Sequence, residues 1–153
     1  MMLNWCYNEP WITAANNSIV SYPALPKPAY EFVKAALRPT LFSARIPKFK
    51  WAEGEKFKAE IWLLNDTNEE VERTASVCLK IGDKTISLLE KVSRKAGAKE
   101  NVECAAVCTV LPEVGDTEDM YLLIAGDGDA SNEYRLRYEP RKKIAKQKML
   151  NKD

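Results

Sequence analysis

Beyond about residue 40 the chain alternates apolar and polar positions with a period of two. Phe57, Ala59, Ile61 and Leu63 alternate with Lys58, Glu60, Trp62 and Leu64, which predicts a strand with one strongly apolar face. Ala75, Val77, Leu79 and Ile81 alternate with Thr74, Ser76, Cys78 and Lys80 in the same way. Val102, Cys104, Ala106, Cys108 and Val110 fall on one face of a further strand, which Pro112 stops. The run from Met120 to Ala125 is mostly apolar, as in a central strand, and Tyr134, Leu136 and Tyr138 alternate with Glu133, Arg135, Arg137 and Glu139. Leu41–Ile46 and Thr85–Leu89 read as shorter strands. Between these segments stand Asn65-Asp66-Thr67-Asn68, Gly82-Asp83 and Asp127-Gly128-Asp129-Ala130-Ser131-Asn132, all turn-forming sequences. About seven strands in about a hundred residues predict a mainly β fold, a two-layer antiparallel sandwich of the immunoglobulin-like kind. Its core is expected to hold Phe57, Ile61, Leu63, Val77, Leu79, Leu123 and Leu136. No Cys…Trp…Cys framework is present, so the likeness to immunoglobulins is one of architecture.

The first forty residues follow a different pattern. Met1 to Trp11 reads as a short apolar strand running into a polar, aromatic loop. Pro28 suits the first turn of a helix, where its missing N–H costs nothing. Tyr30, Val33, Ala36 and Leu37 then share one helical face, Arg38 lies where a cation is favoured, and Pro39 ends the element. The division is therefore 1–39 (strand, loop and helix), 40–140 (sandwich) and 141–153 (a basic tail containing Lys142, Lys143, Lys146 and Lys148).

Composition narrows the chemistry. Lys+Arg is 23 and Asp+Glu is 22, a balance that predicts neither nucleic acid nor a membrane surface as partner. The basic tail reads as a solvated end. No apolar run is long enough to span a membrane, and no signal peptide is expected at Met1. Histidine is absent, which removes Ser-His and Cys-His catalysis and most zinc sites. No metal or cofactor is expected. The four cysteines, Cys6, Cys78, Cys104 and Cys108, form no Cys-x-x-Cys pair and read as buried thiols, with a Cys78–Cys104 bridge between strands as the alternative. Cys104 and Cys108 are expected on the same strand face, too far apart to bridge.

The order of pieces in 1–39, "LNW-x-x-NEPW … SYPALPKPAYEFVKAALRP", resembles the last strand and last helix of the catalytic (β/α)8 barrel of family 2 glycoside hydrolases, which include β-galactosidases, β-glucuronidases and β-mannosidases. The match covers about Asn4 to Pro39. The downstream sandwich agrees in position, since many members carry immunoglobulin-like domains after the barrel. The resemblance implies that this chain is the C-terminal accessory region of a larger enzyme acting on β-linked glycosides, with the upstream barrel as its partner. The family's two catalytic glutamates lie on earlier barrel strands, so no catalytic residue is expected here and the chain alone should be inactive. The resemblance places Trp5, Asn8, Glu9 and Trp11 at the C-terminal rim of the barrel, as sugar-contacting residues of the whole enzyme. Trp5 is the foremost of them, because an indole face stacks on a pyranose and its N–H can bind a hydroxyl. Trp5 also reads as a core aromatic from its sequence alone. Glu9 stands where many members have aspartate; as a loop carboxylate it would tie its loop down by hydrogen bonds. Ser21-Tyr22-Pro23-Ala24-Leu25 departs from the usual Asp-Tyr-Tyr-Gly-like stretch.

Other candidates carry less. Trp62 faces away from Ile61, placed to cover the sandwich edge, to meet the barrel or to touch carbohydrate; Trp51 also belongs to the sandwich. Asp127-Gly128-Asp129 opens like a calcium loop, but Tyr138 occupies the twelfth position, where glutamate is needed, so a hairpin turn is expected. Asn16-Asn17-Ser18 and Asn65-Asp66-Thr67 match the glycosylation sequon. The competing functional reading is a stand-alone β-sandwich module that binds carbohydrate or protein. The two differ in what becomes of Met1–Trp11, which in a self-sufficient module would pair within the sandwich.

Overall fold

The computed structural model describes residues 6–12 and 17–141, and the chain separates into two units, Met1–Arg38 and Pro39–Asp153. In the first, strand β1 (Val20–Ser21) pairs antiparallel with β2 (Leu25–Pro26) across a turn in which the Tyr22–Pro23 peptide is cis. Helix α1 (Pro28–Ala36) follows at once, with Pro28 at its start as expected. Leu37 N–H closes the last turn on Val33 O, and Arg38 Nε donates to Ala35 O at 2.7 Å. The expected apolar face is only partly covered. Tyr30 and Val33 are half-buried, but Ala36 is exposed and Leu37 is 77% exposed; Phe32, off that face, is 77% exposed too. So short a unit has little surface with which to cover a helix. Asn8 makes an isolated parallel bridge to Val20. The strand expected at Met1 and its Trp5 lie outside the described residues.

In the second unit the period-2 segments become β3 (Thr40–Arg45), β4 (Lys50–Ala52), β5 (Lys56–Asn65), β6 (Val71–Ile81), β7 (Lys84–Ala96), β8 (Asn101–Val110), β9 (Asp119–Gly126) and β10 (Asn132–Glu139). They form a five-stranded sheet in the order β4-β10-β9-β6-β7 and a three-stranded sheet in the order β3-β5-β8. The fold is a mainly β sandwich. Phe42, Phe57, Ile61 and Leu63 of the small sheet meet Val77, Leu79, Ile81, Leu122, Ile124 and Tyr138 of the large one in a single buried cluster. Of the residues expected in the core, Phe57, Ile61, Leu63, Val77, Leu79 and Leu136 are buried.

Four features correct the sequence reading. Leu123 is half-buried on the outer face: it pairs with Cys78 and Glu133, while Leu122 and Ile124, which pair with Leu79 and Val77, point inward. A strand apolar on both faces carries no phase in its pattern. Second, β8 contains a bulge. Ile61 pairs with Ala105 and Trp62 with Glu103, which leaves Cys104 as the extra residue. The inward set therefore changes from Val102 and Cys104 to Val107, and Cys104 is buried while Cys108 is exposed. All four cysteines are free, and Cys6 is exposed as well, so neither the bridge nor four buried thiols is found. Third, β7 runs from Lys84 to Ala96, far beyond Leu89, as a largely exposed edge strand. Fourth, β4 is an additional strand and pairs with β10 in parallel, so the sandwich is not wholly antiparallel. The link 46–49, with Pro47 in it, carries the chain from the small sheet to the large one. Such a segment spans about 13–14 Å when extended, enough to cross the ~10 Å between packed sheets.

The outer edge of β3 is satisfied from the other sheet. Phe42 N–H donates to Ala130 O at 2.9 Å, Ala44 N–H to the Tyr134 hydroxyl at 2.9 Å, and Asn132 Nδ2 to Phe42 O at 3.1 Å. The approach requires glycine at 126, where a Cβ would lie 2.8 Å from the Phe42 ring. Across the opposite opening, Arg94 Nη2 on β7 donates to Cys104 O on β8 at 3.0 Å. Asp127-Gly128-Asp129 is the hairpin turn between β9 and β10, closed by Ala130 N–H on Asp127 O, with Gly128 at φ 57°.

Asn65 is 0% exposed. Its Nδ2 donates to Glu69 O (2.8 Å), Gly97 O (2.8 Å) and Ala96 O (3.3 Å), and its Oδ1 accepts from Thr67 N–H (3.0 Å) and Thr67 Oγ1 (2.7 Å). A glycan would be attached at that nitrogen, so the Asn65 sequon is closed to glycosylation in the folded chain. Asn16 of the other sequon, and residues 142–153 of the basic tail, lie outside the described residues.

Candidate functional site

Tyr7-Asn8-Glu9 lies in the loop singled out by the sequence, of which residues 6–12 are described. It is held by segment 18–20 of its own unit. Tyr7 O accepts from Ile19 N–H (3.2 Å) and Val20 N–H (3.0 Å), Glu9 N–H donates to Val20 O (3.0 Å), and Lys27 N–H donates to Ile19 O (3.0 Å). Ser18, Ile19 and Val20 are buried. The loop is thus zipped to the segment that enters β1.

Glu9 is the centre of the polar contacts. Its Oε1 accepts from Lys27 Nζ at 2.6 Å and from Ser18 Oγ at 2.8 Å, and Lys27 Nζ also donates to Ser18 Oγ at 2.9 Å. The Glu9 side chain is 9% exposed. The Lys27 hydrogen bond, then that of Ser18, holds its carboxyl below the ordinary value of 4.5. Near neutrality Glu9 is an ionised anchor, a poor proton donor. Beside it, the neighbouring Tyr30 phenol and then burial raise the Tyr7 hydroxyl above its ordinary value of 10.0. Tyr7, Asn8, Glu9, Ser21, Pro23 and Tyr30 line a cavity of about 260 Å3. Asn8 is exposed and Trp11 is 67% exposed.

The structure therefore brings Asn8 and Glu9 to one cavity, leaves Trp11 open to solvent, and does not describe Trp5. Sequence reasoning missed Ser18, Lys27 and Tyr30. A usable signal was present in Pro26-Lys27-Pro28, where two prolines fix the backbone around a lysine. The cavity supplies hydroxyl, amide and carboxylate groups suited to hydrogen-bonding a polyol. Glu31, the other carboxylate among the described residues of this unit, does not line it and pairs with Lys34 at 3.9 Å. No acid–nucleophile pair stands there. No cluster of three potential metal ligands occurs among the described residues.

Because the folded carboxyl titrates below 4.5, its contribution to stability is complete above that value and is lost as pH falls through the lower folded one. The Glu9 carboxyl carbon followed by NMR should titrate with a midpoint below 4.5, and Lys27→Met should move that midpoint upward. A wild-type midpoint at the ordinary value would contradict the anchor.

In the sandwich, Trp51 is buried against Phe57 (centroids 4.9 Å apart) and donates Nε1–H to Lys48 O at 3.0 Å. Trp62 is half-buried on the outer face of β5.

No protein-family model matches the chain, and no curated protein sequence matches it. Solved structures do. A β-D-mannosidase from Dictyoglomus thermophilum is 24% identical and matches with a TM-score of 0.61 over 87% of this chain and 16% of its own. The sporulation control protein of Bacillus subtilis matches at 12% identity and TM-score 0.47, over 67% of this chain and 50% of its own. A β-glucosidase from Listeria innocua in complex with glucose matches at 13% identity and TM-score 0.42, over 65% of this chain and 16% of its own. This chain thus spans half of the sporulation protein and about a sixth of either glycosidase. It shares the fold of a segment of the mannosidase. That 87% is about 133 residues, more than the 115 of Pro39–Asp153, so the shared fold reaches into Met1–Arg38.

Proposed function

We propose that this chain is the C-terminal region of a family 2-like glycoside hydrolase acting on β-linked glycosides. Residues 1–39 complete its catalytic barrel, and an immunoglobulin-like sandwich buttresses that barrel. The observation that carries the reading is the likeness to the mannosidase segment, which includes part of the first unit as well as the sandwich. The exposed Phe32 on α1 and Leu37 at its C-terminal end support it, since a barrel helix has neighbours against which to bury such side chains. So does the partner of Tyr7–Glu9, which is segment 18–20 of the same unit. In the whole enzyme Trp5, Asn8, Glu9 and Trp11 border the sugar. Trp5 stacks on the ring, and Glu9, tied to Lys27 and Ser18, fixes the loop that carries its neighbours.

The proposal predicts two activities. The isolated chain should not hydrolyse nitrophenyl β-mannoside, β-glucoside or β-galactoside, because a retaining site needs paired carboxyl groups roughly 5 Å apart. The same gene expressed with its upstream coding sequence should hydrolyse at least one of them. There Trp5→Ala should lower kcat/KM by on the order of 5–150-fold, equivalent to about 1–3 kcal/mol of lost sugar contact. Turnover by the isolated chain that survives a Glu9→Gln control for contamination would refute the reading. So would upstream sequence that encodes no barrel.

A further inference from the structure

On the sandwich, the link between β3 and β4 presents Phe49 to solvent, 63% exposed. It is not a loose side chain on a loose loop, because Phe49 O accepts from Arg137 N–H at 2.8 Å, which pins the link to β10. Phe49, Glu118, Asp119, Arg135, Leu136 and Arg137 line a shallow cavity of about 330 Å3, within the ~300–1,000 Å3 range of small-ligand sites. Two ion pairs order its polar wall: Arg137 Nη2 to Glu118 Oε2 at 2.8 Å, and Arg135 Nη2 to Asp119 Oδ1 at 3.5 Å.

We infer that this cavity binds a neutral sugar ring. Its two cations and two anions cancel, so it selects neither an anion nor a cation. It sets guanidinium donors and carboxylate acceptors beside one aromatic face. A pyranose has the complementary form, with vicinal hydroxyls that both donate and accept at its rim and an apolar C–H face for stacking. The shorter pair, Arg137 with Glu118, favours one placement of that guanidinium before the ligand arrives, which lowers the ordering cost of binding. The site needs only the sandwich and goes beyond the glycosidase reading, which can stand or fall without it.

The test is titration of the 15N-labelled 153-residue chain with β-1,4-mannotetraose, cellotetraose and glucuronic acid. A neutral tetrasaccharide should shift the amides of Phe49, Arg135 and Arg137 saturably. Phe49→Ala should weaken that binding about tenfold or more and Phe49→Trp should retain it, as expected for stacking on an aromatic face. Asp119→Asn, at an exposed ion pair, should weaken it as well, which gives a second variant independent of Phe49. Three results would each overturn the inference: no saturable shift with either tetrasaccharide, shifts unchanged in Phe49→Ala, or tighter binding of glucuronic acid than of the neutral sugars. Hydrolysis by the longer gene product without binding here would remove this site and leave the glycosidase proposal intact.

Discussion

Asn65→Asp is expected to destabilise the sandwich by about 3–5 kcal/mol near pH 7, the usual cost of a buried charge without a partner. The exchange is nearly isosteric, so the effect is electrostatic. In place of the amide that donates to the carbonyls of Glu69, Ala96 and Gly97, the variant presents a carboxylate oxygen to three acceptors. The charged form is penalised by burial and by those carbonyls, so the new carboxyl titrates above its unfolded value. Its neutral form can donate one of the lost hydrogen bonds. The damage should therefore grow as pH rises from the unfolded pKa, about 3.9, through the higher folded one. Urea melts at pH 4 and pH 7, wild type against variant, measure this directly. A variant equally stable at both pH values, relative to wild type, would exclude it. Asn65→Ala should also be costly but without the added pH dependence, since it removes the same hydrogen bonds and introduces no charge.

The second large effect is at Phe57. This ring is fully buried on β5 and tilted against Trp51 of β4, so it ties the small sheet to the large one. Phe57→Ala should cost about 3–5 kcal/mol, the transfer loss plus the cavity left behind. The change should appear as a lower urea midpoint at an unchanged slope. Leu123→Ala is the matched control. Both residues were expected in the core from sequence, but Leu123 is on the outer face and its truncation should cost much less. Equal losses at the two sites would contradict the assigned faces.

These two residues also show how far the pattern could be read. Where one face was apolar and the other polar, as in Ala75, Val77, Leu79 and Ile81, the alternation fixed both strand and orientation. Met120 to Ala125 is apolar on both faces, so the strand was legible and its phase was not. At Cys104 one unpaired residue shifts everything after it, and no local composition marks that insertion. β7 was cut short because an edge strand with lysines, glutamate and serines has little apolar periodicity to read. The site was legible as a loop with Asn8 and Glu9. The residues that fix Glu9 were not, because Ser18 and Lys27 lie nine and eighteen positions away and meet it only through folding.

The treatment of the strand margins bears on how the protein behaves at high concentration. A sandwich of two open sheets has four unpaired margins, each a template for adding a strand from another molecule. Here none is left as a long, flat, apolar ribbon. β3 has its amides and carbonyl taken by Ala130, Tyr134 and Asn132. β4 is three residues long. β7 carries Lys84, Glu90, Lys91, Arg94 and Lys95, whose charges resist stacking between molecules. At β8 the Cys104 carbonyl is occupied by Arg94 and the strand is bent by its bulge. The same charged residues and irregularities that blur the sequence signal at the margins oppose edge-to-edge pairing.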